Sequence, residues 1–185
     1  MELLYYLVPL LILLFLPKAF IQRGAKKAFR KIKGFSPTHE FVSPFGTGIA
    51  VDTDSQRIAF RGKNWAIFDC DFKDILSTET VINGESVNKT NRGDQIIRGA
   101  VGGLLLGPAG LLIGALTGSK RTEEKISKIS IRVNVNDIDN PMHEVVFYEG
   151  EKIKKSSFEH EVWAEKADEW IKRINAVIAV SEEKR

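Results

Sequence analysis

The side chains best suited to do chemistry in this chain are spaced in a way that builds no catalytic centre. His39, His143 and His160 fall in a loop, at a strand edge and at a helix start, none at a metal-ligand interval from another, and each reads as a surface residue. Asp69, Asp71 and Asp74 crowd a strand junction, where short acids usually form turns. Gly118-Ser119-Lys120 reverses the order a phosphate-binding loop needs. Cys70 is the single cysteine, so no disulfide framework or thiolate metal site is expected, in keeping with a reducing compartment. The sequence therefore predicts no catalytic, cofactor-binding or metal-ligating residues and a protein that is not an enzyme.

Charge and glycine are patterned instead. Seven basic residues, Lys18, Arg23, Lys26, Lys27, Arg30, Lys31 and Lys33, follow one another with no acid among them. Such a run suits the anionic headgroups of a bilayer, each cation near the surface contributing on the order of 1 kcal/mol. The second pattern lies in GAVGGLLLGPAGLLIGALTG, where Gly99, Gly103 and Gly107, then Gly110, Gly114 and Gly118, recur four apart on either side of Pro108. Small residues at that interval share one helix face and let two backbones approach closely, which predicts a helical hairpin with those six glycines as the packing positions.

The elements that must position these residues start with an apolar run. Leu3 to Ile21 carries a single charge, Lys18. As a helix it would span roughly the hydrocarbon thickness of a bilayer. The positive charge follows the run instead of preceding it, which predicts an uncleaved anchor with its basic flank in the cytoplasm and its first residues outside. Ile21, Ala25, Ala28, Phe29 and Ile32 recur at helical spacing, so the basic stretch reads either as an amphipathic continuation lying in the membrane interface or as a solvated linker. Of 185 residues, 27 are basic and 24 acidic, but the 20 basic residues outside this stretch are outnumbered by the acids, so nucleic acid is not an expected partner.

Beyond the anchor the hydrophobic period is mostly two. GIAVD (48–52) and RIAFR (57–61) flank the polar turn Thr53 to Gln56 as a hairpin. Further strands are predicted at Trp65–Asp69, Ile75–Ile82 (closed by Asn83-Gly84), Ile126–Val135 and Glu144–Tyr148. The period then becomes helical: Ser156 and Glu159 form a capping box, and Trp163, Ala167, Trp170, Ile171, Ile174, Val177 and Ile178 mark a buried stripe opposite Glu161, Glu165, Asp168, Lys172 and Arg173. Ser181 to Arg185 reads as a frayed tail.

Antiparallel strands followed by one amphipathic helix resemble a pleckstrin-homology-like (PH-like) domain, and shorter motifs sharpen the likeness. DFKDILSTETVING (71–84) looks like the strand-entry segment of bacterial PH-like proteins. RGAVGGLLLGPAGLLIGALTGSKR resembles the glycine-rich insertion that some of them carry, and KISKISIRVNVND resembles the strand that follows it. The resemblance implies an α+β fold: a transmembrane helix, then a small antiparallel PH-like β-barrel or sheet with a C-terminal capping helix and an inserted Gly-rich helical hairpin. The expected organisation is an anchor at 1–21, a basic amphipathic juxtamembrane segment at 22–40, a PH-like domain at 41–180 with the glycine insertion at 96–118, and a tail at 181–185. Phosphoinositide-binding members tend to have a basic first hairpin loop. Here it reads Asp52-Thr53-Asp54-Ser55-Gln56, so specific recognition of that kind is not expected.

The insertion must return the chain to its own side of the membrane for the flanking strands to share a sheet, and Arg92, Arg98, Lys120 and Arg121 place basic residues at both entrances. It dips into one leaflet, pairs across subunits, or folds back on the domain or anchor. The expected function is binding, scaffolding or sensing at a bacterial inner membrane by a single-pass protein whose domain is cytoplasmic. Its expected partners are lipids and either a membrane protein or further copies of itself. The other reading is an oligomeric membrane-active protein, pore-forming, toxin-like or excluding phage, that acts through the glycine hairpin.

Overall fold

The computed structural model describes residues 24, 26–91 and 125–183. The expected anchor and the glycine segment lie outside the described residues, as do Lys18 and Arg23. No helix among the described residues is long and apolar enough to cross a membrane. The chain divides into two compact units at Asp69/Cys70.

The first unit is built on a four-stranded antiparallel sheet in the order β1 (His39–Val42), β2 (Gly48–Asp52), β3 (Arg57–Arg61) and β4 (Ile67–Asp71), the last strand running across the boundary. The hairpin expected from alternation is present, with Gly48 opposite Arg61 and Asp52 opposite Arg57. Its turn closes with Gln56 at a φ of 55°. Both faces of β2 are buried. Ala50 joins Ala59, Val42, Phe29 and Phe35 in one apolar cluster, while Ile49, Val51, Ile58 and Phe60 are buried on the opposite face. β4 begins two residues later than the sequence suggests, because Trp65 is taken up in the turn that precedes it.

The second unit holds the second sheet, in the order β6 (Glu85–Asn91), β5 (Ile75–Ile82), β7 (Lys125–Val135) and β8 (Met142–Lys154). A 3-10 turn, Phe72–Asp74, leads into β5. Asn83 and Gly84 both take positive φ, 52° and 93°, the tight hairpin geometry for which that pair is suited. Asn83 also reaches across to β7, where its Oδ1 accepts from the Ser127 amide at 2.8 Å and its Nδ2 donates to the Lys125 carbonyl at 3.0 Å. β7 alternates as expected: Ile129, Ile131, Val133 and Val135 are buried on one side, and Ser130, Arg132 and Asn134 share the other. There Arg132 lies 3.8 Å from both Glu79 and Glu144, and Glu144 also accepts from Lys128 (2.8 Å) and Ser130 (2.9 Å).

Helix α1 (Phe158–Glu183) packs on β5, β7, β8 and the 3-10 turn through Ala164, Ala167, Trp170, Ile171, Ile174, Val177 and Ile178. The structure corrects several details. The cap is Ser157, whose Oγ accepts from the His160 amide at 3.2 Å, and not Ser156. Asp168 is buried and paired with Lys172 at 2.7 Å, although the polar face was expected to hold it in water. Ser181 and Glu182 continue the helix instead of fraying, with the Ser181 hydroxyl donating to the Ile178 carbonyl at 2.7 Å.

The two sheets are separate hydrogen-bonded systems, so the eight strands do not close into a single barrel. A second feature concerns the insertion. β6 and β7 are each antiparallel to β5, on its two edges, and are therefore parallel to one another. The chain thus leaves the sheet after Asn91 at one end of β5 and re-enters it at Lys125 at the other.

Candidate functional site

The basic stretch is where the described structure turns a sequence pattern into a surface. Residues 26–29 form a helical turn. The chain then tightens into successive short turns, with the Lys31 amide donating to Ala28, Ile32 to Phe29 and Phe35 to Ile32, each at 3.2 Å. Gly34 supplies the left-handed residue that re-aims the chain toward β1, at a φ of 68°.

Its apolar residues point inward. Phe29 is fully buried and Phe35 nearly so, both in the cluster with Val42, Ala50 and Ala59, and Ile32 packs against that cluster. The Phe29 ring rests on Gly48, where a Cβ would lie 3.3 Å from Phe29 Cζ and 3.0 Å from the Phe41 carbonyl oxygen. Only a residue without a side chain leaves that socket open. The reading of this stretch as an amphipathic helix in the membrane interface is therefore corrected for Phe29 and Ile32. The periodicity is real, but their apolar side is taken by the sheet of the first unit.

Polar contacts hold the stretch in place along its length. Glu40 on β1 pairs with Lys26 at 3.5 Å and Arg30 at 3.3 Å. Arg57 on β3 donates through Nη1 to the Lys33 carbonyl at 3.0 Å, pairs with Asp69, and lies 5.9 Å from the centroid of the Phe35 ring. At the far end the Ser36 amide donates to Asp52 Oδ2 at 2.7 Å. Asp52 is buried, which alone would raise its pKa. The Ser36 amide, the Ser55 hydroxyl and amide and the Asp54 amide outweigh that and hold it below the ordinary value of 3.8. The acidic first hairpin loop thus owes its aspartate to turn and strap geometry.

Lys26, Lys27, Arg30, Lys31 and Lys33 are all exposed. The arrangement is a row of cations held outward on a folded support. Glu40 offsets Lys26 and Arg30, while Lys27, Lys31 and Lys33 face solvent without a carboxylate partner among the described residues. Of the predicted contact residues, Lys18 and Arg23 lie outside the described residues, as do the helix-packing positions Gly99, Gly103, Gly107, Gly110, Gly114 and Gly118. Sequence reasoning missed Glu40, Arg57 and Gly48, which position the site. Glu40 had a faint signal, as the first acid after the basic run, and Gly48 had none, since only the approach of Phe29 gives it meaning.

The three histidines remain dispersed: His39 is exposed, His143 half-buried, and His160 buried, contrary to its expected surface position. Burial, with nearby Lys155, pushes the His160 pKa below its ordinary value despite an opposing backbone hydrogen bond and Glu161. Among the described residues no group of three or more His, Cys, Asp or Glu is placed to hold a metal ion.

Comparison with known proteins places this architecture. The chain is similar, at 21% identity over 125 residues, to a protein named Immunity protein from Bacillus phage SPbeta, covering 65% of this chain and 60% of that protein. It is equally similar, 21% over 125 residues, to the SPbeta prophage-derived uncharacterized membrane protein YomJ of Bacillus subtilis (strain 168), covering 65% of this chain and 53% of that one. The chain therefore spans somewhat over half the length of the curated relatives it matches. No solved structure matches it. A family model described as a glycine zipper containing PH domain matches residues 39–149, from the start of β1 well into β8 and across the glycine segment. With more than half of its length matched by that model, the chain belongs to the family of glycine-zipper-containing PH domains.

Proposed function

We propose that this chain is a membrane-anchored binding and scaffolding or sensing protein, with its PH-like domain held on the cytoplasmic face of a bacterial inner membrane by the Leu3–Ile21 run. The observation that carries this reading is the clamped basic segment. Immediately after the apolar run the chain buries Phe29 and Phe35 in its own domain and turns Lys27, Lys31 and Lys33 outward. That arrangement suits a surface set against anionic headgroups. The relative named as a membrane protein supports the same location. The six glycines provide close-packing positions for a membrane-protein partner or for second copies of this chain. No catalytic role is assigned.

A reporter fused after Arg185 tests the orientation. Activity of a cytoplasm-dependent reporter, with recovery of the chain in the membrane fraction after a high-salt wash, is the expected result. Activity of a periplasm-dependent reporter, or release by salt, would remove both the anchor and the placement of the domain.

The relative named Immunity protein favours a second reading, in which the chain acts in phage exclusion by oligomerising through its glycine segment. Membrane potential separates the two. A scaffold leaves it intact on expression, whereas a membrane-active oligomer collapses it.

A further inference from the structure

The loop between β3 and β4 holds an indole in the open on a backbone that disfavours it. Trp65 is 64% exposed, and its φ of 68° lies in the left-handed region that bulky L residues rarely adopt. The loop is nonetheless well fixed: the Trp65 amide donates to the Gly62 carbonyl and the Gly62 amide to the Ala66 carbonyl, both at 3.0 Å, and the Ala66 amide donates to Asn64 Oδ1 at 3.2 Å. Behind the ring stands Arg61. It is only 4% exposed, donates through Nη1 to the Gly46 carbonyl at 2.6 Å, and lies with its guanidinium carbon 4.9 Å from the Trp65 ring centroid. A strained residue presenting a large apolar ring to water from a rigid loop points to something that ring meets.

Its place in the fold says what. Arg61 is opposite Gly48 across the hairpin, and Gly48 is the floor on which the Phe29 ring rests. The Trp65 loop and the tip of the Phe29 ring therefore lie at the same end of the β2–β3 hairpin, and the apolar Leu3–Ile21 run stops eight residues before Phe29. The acidic Asp52–Gln56 turn is at the opposite end of the same hairpin. Indole is the side chain that favours the headgroup layer of a bilayer, with an apolar body and a polar N–H, and the buried Arg61 guanidinium supports its ring from the protein side.

We propose that Trp65 is an interfacial lipid anchor: its ring sits in the headgroup layer, backed by Arg61, and fixes which end of the first unit faces the membrane. The proposal rests on the membrane reading above.

The test uses the full chain reconstituted in phosphatidylcholine–phosphatidylglycerol vesicles whose acyl chains carry bromine either beside the headgroup or near the terminal methyl. Neither the apolar run nor the glycine segment contains tryptophan, so emission reports only Trp65, Trp163 and the buried Trp170. Headgroup-proximal bromine is expected to quench native emission about twofold more than terminal bromine, and this excess should vanish in Trp65→Phe. Aqueous iodide on the native chain gives a second readout that needs no variant, and vesicles should shield the exposed component from it. Flotation with the vesicles, together with quenching that is the same for native and Trp65→Phe and iodide access that vesicles leave unchanged, overturns the anchor while sparing the membrane reading. That pattern would assign the indole to a protein partner or to solvent. Failure to float with the vesicles overturns both.

Discussion

Shortening the connection between β6 and β7 tests the least expected feature of the fold. Ser77 on β5 is opposite Asn91 on one side and Asn134 on the other, so those two residues are level across the sheet. Lys125, where β7 begins, is nine residues before Asn134. At about 3.3 Å per residue that is about 30 Å along the strand, and two strand spacings add about 10 Å sideways, giving ends about 31 Å apart. A fully extended linker needs at least about nine residues to span that gap. A flexible Gly-Ser chain, with a root-mean-square length of about 5–6 Å times the square root of its residue number, matches it near about 30 residues. The native connection, residues 92–124, has 33.

The full chain with that connection replaced by about 30 Gly-Ser residues should therefore keep its melting transition to within about 1 kcal/mol, since even a doubling of loop length costs only about 0.6 kcal/mol. A linker of about five residues cannot reach. Either β6 leaves the edge of the sheet or β7 shifts its register, and hydrogen exchange of the β5 amides should rise while the thermal transition falls. The experiment is circular dichroism melting in detergent with exchange read by mass spectrometry. If the five-residue version melts and exchanges like the native chain, β6 and β7 do not run parallel on either side of β5, and the topology described above is wrong.

Gly48→Ala should destabilise the first unit by about 1–3 kcal/mol in a denaturant titration, because the new methyl meets the Phe41 carbonyl and the Phe29 ring; Phe29→Ala should cost about 3–5 kcal/mol by emptying the same socket. Glu40→Gln should change stability by less than about 1 kcal/mol, since its pairs to Lys26 and Arg30 are partly exposed. Freeing those two cations should strengthen adsorption to anionic vesicles by about tenfold, an effect that 1 M salt abolishes. Asp52 and His160 both have folded pKa values below their ordinary ones. The stability each confers is present above the unfolded value, near 3.8 and 6.5 respectively, and is lost as pH falls through the folded value. Melting should therefore weaken in a first step on acidification below about 6.5, shared with His143, that His160→Phe reduces, and in a second step below about 4, shared with Glu144 and Glu169, that Asp52→Asn reduces while lowering stability at neutral pH by about 1–3 kcal/mol.

Much of the second unit was legible because its signals are local. Alternation along Ile126–Val135, the Asn83-Gly84 turn and the stripe from Ala167 to Ile178 each specify their element without reference to anything distant. The strand Glu85–Asn91 was missed because ESVNKTN carries almost no apolar alternation; it is paired to β5 through the hairpin turn before it. The parallel relation of β6 and β7 is a non-local choice that no window of sequence contains. The basic segment shows the same limit in another form. Spacing correctly grouped Phe29 with Ile32, but a hydrophobic period is silent on whether its partner is lipid or protein, and here Gly48 and Ala50 decide it from beyond a turn. His160 and Asp168 were placed outside because each is polar, whereas the fold buries both, with Asp168 paired to the exposed Lys172.

Because Phe29 and Phe35 are occupied within the domain, the segment between them has no apolar side to offer acyl chains while the first unit is folded. Its share of any membrane contact is then electrostatic and must fade as salt shortens the Debye length from about 10 Å at 0.1 M to about 3 Å at 1 M. A contact made by Trp65, or by the Leu3–Ile21 run, depends on apolar transfer and salt leaves it nearly untouched. The two contributions can thus be separated in one protein by ionic strength alone. A domain held only by its lysines would lift from vesicles in high salt while the chain remained bound, and one held also by its indole would stay down.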